Sequence, residues 1–235
     1  MLFLYIFWAA WANLFSGFAP TPTLRPISHR RLSLAEPSDI CAAPNGNGYF
    51  LVGNTGGIAH ISNGGIVLAE KKPRGADFEG VAAFGSRLWV IDESFRELSE
   101  LDTLTFAVQR SVRLIDFGAR NRSFESLVYM PDRRELLAFT EKPVNFYRLN
   151  TDLQLQEQRA LPQYKEVSAA TYYGGNLWLL SDEGHCIYKV NPTDFSLLQT
   201  WNIDIINPEG ITFNSRGELL IVSDDRQMLY TFAPL

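Results

Sequence analysis

The sequence has little of what most metal, redox and nucleic-acid proteins rely on. Only two cysteines, Cys41 and Cys186, and three histidines, His29, His60 and His185, occur in 235 residues. Two cysteines match no zinc spacing, and three scattered histidines make no histidine-rich metal centre. There is no basic block either: 21 Lys and Arg stand against 26 Asp and Glu, a net charge of −5. Nothing therefore calls for contact with a phosphate backbone, and nucleic acid is not an expected partner. Disorder is excluded as well, because 46% of the residues are hydrophobic and 13% aromatic, enough for one globular domain or two small ones at most.

Charge is missing altogether from residues 1–24, and Leu2 to Ala12 reads LFLYIFWAAWA. Such a run is an export signal or a membrane anchor, which places residues 1–24 outside the fold and the protein in the cell envelope, periplasmic or membrane-anchored. As an anchor it is short unless Phe15 to Ala19 also embed. Membrane contact is expected through this segment alone. No basic residue precedes the run, and the first ones, Arg25, Arg30 and Arg31, follow it.

What the rest of the chain does have is a unit written five times. The units open with PSDICA at Pro37, FEGVAA at Phe78, FESLVY at Phe124, VSAATY at Val167 and PEGITF at Pro208. Their second residues, Ser38, Glu79, Glu125, Ser168 and Glu209, are spaced by 41, 46, 43 and 41. A second apolar run follows each opening, as in RLWVI, NLWLL and ELLIV, and then a third, as in IAHI, IYKV and LYTF. Turn residues such as Gly85-Ser86 and Gly174-Gly175 separate them, so each run is a strand. The second run is apolar on both faces and the third alternates, the gradient of a sheet stacked between two others.

A more polar fourth strand completes four units, but the fifth stops at Leu235 after three. Its missing strand is available as Ile27 to Leu34, ISHRRLSL. Residues 25–235 are therefore expected to form an all-β, five-bladed β-propeller, with an N-terminal strand closing the ring by completing the last blade. A monomer suffices for this closure. Cys41 and Cys186 then fall in blades that are not neighbours, and are expected to be buried free thiols.

In that architecture the innermost strands line the axis, so Ser38, Glu79, Glu125, Ser168 and Glu209 form a ring. The second strand runs back antiparallel and ends at the same mouth, bringing Asn54, Asp92-Glu93, Glu141-Lys142, Asp182-Glu183 and Asp224-Asp225 to a second ring. Three carboxylates about 6 Å apart at an effective dielectric of about 20 repel by roughly 3 kcal/mol per pair, about 8 kcal/mol in all. That rivals the stability of a whole domain. A bound cation, raised pKa values, or hydrogen bonds from backbone amides and the two serines must offset it. Oxygen donors without His or Cys suit calcium best, with magnesium or manganese behind. Glu79, Glu125 and Glu209 are thus candidate metal ligands, with structural hydrogen bonding as the competing role. Ser38, Ser168, Asn54, Asp92, Glu93, Glu141, Asp182 and Asp224 are candidate channel-lining or substrate contacts.

At these residues the chain resembles the SdiA-regulated family of bacterial envelope proteins. The resemblance rests on the ordered set Glu-Gly-Val-Ala, Phe-Glu-Ser-Leu with Glu-Lys-Pro, Val-Ser-Ala-Ala with Leu-Ser-Asp-Glu, and Pro-Glu-Gly-Ile with Ile-Val-Ser-Asp, and it covers about residues 27–235. It implies a five-bladed propeller with a calcium site, distantly related to NHL-repeat propellers. Glu79, Glu125 and Glu209 fall on the family's acidic positions, Ser38 and Ser168 on its serine positions. Ser126 and Asp39 stand where glycine is usual, and Asp224-Asp225 replaces a Glu-Pro pair.

Other motifs carry less. Asp116-Phe117-Gly118 spells a kinase triplet with none of a kinase's companions and reads as a loop between blades. Trp89, Trp178 and Trp201 are expected to pack between blades. The histidines lie on outer strands or turns, so a Ser-His-Asp triad is not expected. Two functions follow: a calcium-binding binding or scaffold propeller with an unknown small-molecule or protein ligand, or a metal-dependent hydrolase of lactone, ester or phosphoester type, with a cation polarising the substrate and a free carboxylate as base at the channel mouth.

Overall fold

Short runs rich in β-branched and aromatic residues, punctuated by turns, fold here as antiparallel sheets, one per repeat. In the computed structural model, which describes residues 20–115 and 123–235, blade 1 is Pro37–Ala42, Tyr49–Gly53, Ile58–Ile61 and Val67–Lys71, in that order across the sheet. Blade 2 is Phe78–Phe84, Arg87–Asp92, Glu97–Asp102 and Val108–Arg113, and blade 3 is Phe124–Met130, Glu135–Thr140, Asn145–Asn150 and Leu155–Ala160. Blade 4 is Ala169–Tyr173, Asn176–Ser181, Cys186–Val190 and Leu197–Ile203. Blade 5 has Pro208–Phe213, Glu218–Ser223 and Met228–Pro234, completed by Ser28–Arg31. The Asp116-Phe117-Gly118 triplet and residues 1–19 lie outside the described residues.

Closure takes the form that the short fifth repeat requires. Ser28 pairs with Thr231 and Arg31 with Met228, antiparallel. Just before this, Thr23 and Leu24 pair in parallel with Asn202 and Ile203 on the outer strand of blade 4, so these two residues belong to the fold and the expected boundary at residue 25 is too late. The same stretch of chain therefore grips two neighbouring blades.

Each innermost strand touches the innermost strands of both neighbours, which makes the assembly a ring around an axis. The core is correspondingly divided into five clusters, one at each boundary between blades. At the boundary of blades 2 and 3, the fully buried Trp89 stacks on Tyr129 with ring centroids 5.1 Å apart. Trp178 lies 5.3 Å from Trp201 and 4.9 Å from Phe213 of the next blade. Second strands such as Glu218–Ser223 are buried on both faces, whereas fourth strands such as Val67–Lys71 are mostly exposed. Full burial of one Leu or Val side chain contributes about 2 kcal/mol, so the interfaces between blades dominate the favourable side of folding. Both cysteines are free thiols; Cys186 is buried, but Cys41 is only half-buried because it ends an inner strand near the axis.

Candidate cation site at the axial mouth

The repeated polar residue near the start of each inner strand is placed by a backbone irregularity. Phe78 pairs with Asp92 and Gly80 with Ile91, so Glu79 is the extra residue of a bulge. The same shift isolates Ser38, Glu125 and Glu209 in blades 1, 3 and 5. A bulge takes one residue out of the ladder and re-aims its side chain. Here it turns the side chain from the blade interface to the axis.

Glycine beside the bulge lets the strands approach. A Cβ on Gly80 would lie 2.7 Å from the Leu127 nitrogen of blade 3, and one on Gly210 would lie 2.8 Å from the Cα of Asp39 in blade 1. Of the three inner strands that lack this glycine, those of blades 1 and 3 use its position for a bond between blades, and that of blade 4 has Ala169 there. The buried Asp39 carboxylate accepts from the Ile40 N–H at 2.8 Å and from the Val81 N–H of blade 2 at 2.9 Å. It also accepts from the Ile211 N–H of blade 5, although burial as a whole still raises its pKa well above the usual range. Ser126 accepts from the Ala170 N–H of blade 4 at 2.7 Å. Structural hydrogen bonding across blades thus uses the residue after the anchor in blades 1 and 3, and the anchor itself in blade 4, where Ser168 Oγ donates to the Pro208 carbonyl of blade 5 at 3.1 Å.

The anchors open into a cavity of about 330 Å³. Of the residues expected there, Glu79, Glu125, Glu209, Ser168, Asn54, Glu93, Glu141 and Asp182 line it. Ser38, Asp92 and Asp224 are not among the lining residues. Ser38 is buried beneath it, within hydrogen-bond reach of Asn54 and of the Glu79 carboxyl. Asp92 turns into its own loop, accepting from the N–H groups of Asp77 at 3.1 Å and Phe95 at 2.9 Å. Asp224 heads a turn closed by the Gln227 N–H at 2.8 Å.

Glu183, beside Asp182 in the second ring, lines it too, and two acids not expected there, Asp77 and Glu166, complete the lining. Asp77 and Glu166 stand two residues before the anchors Glu79 and Ser168, a position that is polar in all five repeats: Glu36, Asp77, Ser123, Glu166 and Asn207. That periodicity is the signal that could have found them. Its backbone cause is also repeated, since the carbonyls of Glu36, Asp77, Ser123 and Asn207 each accept from the N–H that starts the turn after the second strand. In blade 4 the Glu166 carboxylate takes over part of this role, accepting from Ser181 Oγ at 2.5 Å and the Glu183 N–H at 3.3 Å.

Among the described residues, the lining therefore holds nine carboxylates and no cationic side chain. Lys142, at the rim, is paired with Glu183. Burial first, and repulsion from Glu79, Glu93, Glu141 and Glu209 next, push the Glu125 carboxyl up to about 10. Burial, Asp182 and Asp224 push Glu209 up to about 8. Glu79 is raised well above the usual range by burial and by Asp77. Glu93 accepts from the Ser123 N–H at 2.8 Å and shares a hydrogen bond with the Glu125 carboxyl. These shifts express burial first and repulsion among the carboxylates second, and protons relieve both in the absence of another cation.

Within the cavity, one oxygen each of Asp77, Glu79 and Glu93 lie within 4.8 Å of one another. This is a cluster that could hold a metal ion. It gathers on the blade 2 side of the axis, with Glu125 and Glu209 facing it from blades 3 and 5. Oxygen donors alone fit a hard cation.

A family model described as SdiA-regulated matches residues 35–233. No curated protein matches the sequence. Among solved structures, a glutaminyl cyclase from Myxococcus xanthus superimposes with a TM-score of 0.74 at 12% identity, over 92% of this chain and 98% of that one. A protein of unknown function from Bacteroides caccae gives 0.55 at 13% identity, over 80% of this chain and 70% of that one. A catalytically inactive virginiamycin B lyase from Staphylococcus aureus, solved with quinupristin, gives 0.54 at 13% identity over 85% and 70%. At such identities these likenesses show the fold alone. The family match spans all five blades together with the bulged Glu79, Glu125 and Glu209, and the chain belongs to the SdiA-regulated family.

Proposed function

We infer that this is a calcium-binding propeller of the cell envelope, whose axial acidic mouth holds the cation and presents it to a ligand, as a binding or scaffold protein. The observation that carries the reading is a cavity that, among the described residues, has nine carboxylates and no cationic side chain. Asp77, Glu79 and Glu93 are the residues that would hold the ion, with Asn54 supplying a neutral oxygen nearby. Calcium accommodates six to eight oxygens in flexible geometry, which suits donors drawn from separate loops. The apolar, charge-free run from Leu2 to Ala12 supports export or anchoring.

The test is thermal unfolding with excess calcium and with chelator. At a calcium concentration about a hundredfold above Kd, binding adds about 2.7 kcal/mol, and in a chain of this size that raises Tm by about 5–10 °C. Glu79→Gln abolishes the rise. No shift in the unaltered protein sinks the reading.

One observation favours a second reading, a metal-dependent hydrolase. Glu209, with its pKa near 8, is poised to exchange a proton near neutral pH. A bound dication would polarise an ester or phosphoester oxygen. Hydrolysis lost in Glu209→Gln, with the calcium-induced Tm rise retained, would select this reading over the scaffold.

A further inference from the structure

The channel has a second mouth, where the inner strands end, and its chemistry is the reverse of the first. A cavity of about 240 Å³ opens there, lined from all five blades. Its walls include Phe84, Tyr129, Tyr172, Tyr173 and Phe213, with the half-buried Cys41 among them. The rings pair across blade boundaries: Phe84 lies 4.9 Å from Tyr129, and Tyr173 stacks on Phe213 at 4.2 Å with 10° between planes. Phe84 is nevertheless 52% exposed and Tyr173 38% exposed. Each inner strand is the edge of its sheet, so backbone N–H and C=O groups also face this space.

Among the described residues, no carboxylate lines this cavity. On the neighbouring hairpin, Asp132 accepts from the Tyr172 hydroxyl at 2.7 Å and keeps its negative charge, while Glu135 accepts from Arg148 at 3.0 Å. Two arginines stand beside this lining, outside it. Arg87 faces Phe84 across the strand pair and lies 3.5 Å from Glu100, a carboxylate that Arg110 already holds at 2.6 Å. Arg134 follows Pro131 in the hairpin of blade 3 and is exposed, and among the described residues no carboxylate lies within ion-pair distance of it. Both guanidiniums act on the Tyr129 phenol, pulling down a pKa that burial raises.

We propose that this second mouth binds a small aromatic carboxylate, with its rings among Phe84, Tyr129 and Tyr173 and its carboxylate facing Arg134 and Arg87. Aromatic cations are disfavoured by the arginines, and a bare inorganic anion makes no use of the rings. The site lies at the far end of the channel from the acidic cavity and does not depend on a metal there.

Isothermal titration of the whole protein with 2-naphthoate, 2-naphthylmethanol, 2-naphthylmethylamine and acetate tests this. Naphthoate is expected to saturate one site with a Kd below about 1 mM. The alcohol should bind about fivefold more weakly, the range of a partly exposed charge contact, and the amine and acetate not measurably. Phe84→Ala should weaken both naphthoate and the alcohol by about three- to tenfold, as loss of one aromatic contact does. Arg134→Ala should equalise the two, and Glu79→Gln should leave all four titrations unchanged. Both Phe84 and Arg134 are exposed, so the fold does not rest on them. Absent saturation by naphthoate, equal binding of acid and amine, retention of full affinity in Phe84→Ala, or loss of binding in Glu79→Gln would each overturn the proposal.

Discussion

Replacing Glu209 with glutamine tests the electrostatic account of the acidic mouth without any assumption about which cation fills it. Burial and the charges of Asp182 and Asp224 raise this carboxyl from 4.5 to about 8. At roughly 1.4 kcal/mol per pH unit, that difference corresponds to about 5 kcal/mol between the folded and unfolded chains. Water at the open mouth screens part of it, which leaves about 2–5 kcal/mol. The sign follows from which state holds the proton. Below pH 4.5 both states are protonated and the group costs nothing. Between 4.5 and about 8 the unfolded chain has lost its proton while the folded one keeps it, so stability falls as pH rises. Above about 8 the loss is complete.

Glu209→Gln carries no such titration. With chelator present it should melt at the same temperature as the unaltered protein near pH 4.5 and about 5–15 °C higher above pH 8, taking about 2–4 °C per kcal/mol for a chain of this length. Calcium should narrow the gap above pH 8, because the cation relieves repulsion in the unaltered protein and finds less of it to relieve in the variant. Calorimetric melting across this pH range, with and without calcium, reads both effects. Parallel curves for the two proteins from acid to alkaline pH would refute the idea that the mouth stores unfavourable charge.

Two substitutions probe the joints between blades. Asp39→Ala removes the acceptor of the Ile40, Val81 and Ile211 N–H groups, and leaving such buried donors unpaired should cost about 2–4 kcal/mol, read as a lower urea midpoint; a loss below about 0.5 kcal/mol, the level of an ordinary surface change, would count against the stitch. Gly80→Ala puts a Cβ 2.7 Å from the Leu127 nitrogen, so it should destabilise by about 1–3 kcal/mol, and an unchanged midpoint would show that the inner strands have room to part.

The ring of five, its closure by Ser28–Arg31 and the placement of Glu79, Glu125 and Glu209 on the axis were legible because each follows from periodicity. A period fixes which residues are equivalent. It does not fix how the backbone presents them, and the bulge that turns Glu79 inward leaves no mark in strand-forming composition. Asp92 illustrates the limit: its position at the end of a second strand gave it the same standing as Glu93, yet its oxygens close on the Asp77 and Phe95 amides while Glu93 reaches the cavity. Neighbouring residues at a strand end face opposite sides, and one residue of register decides between turn and channel. Asp77 and Glu166 were missed for a different reason, since they precede the apolar run that marks each strand.

The strand's other end explains why the two mouths differ. An inner strand of five to seven residues spans about 15–20 Å, so its two ends lie in separate electrostatic environments. Four or five residues after the anchors Glu79, Glu125, Ser168 and Glu209 come Phe84, Tyr129, Tyr172 with Tyr173, and Phe213. The repeat therefore writes an acid at one end of the axis and an aromatic ring at the other. Hairpin geometry extends the contrast, because the turns at the acidic end contribute Glu93, Glu141, Asp182 and Glu183, while those at the aromatic end set Arg87 and Arg134 beside a single acid on Tyr172, Asp132. The channel is thus polarised by sequence repetition alone, with a cation expected at one end and an anion at the other.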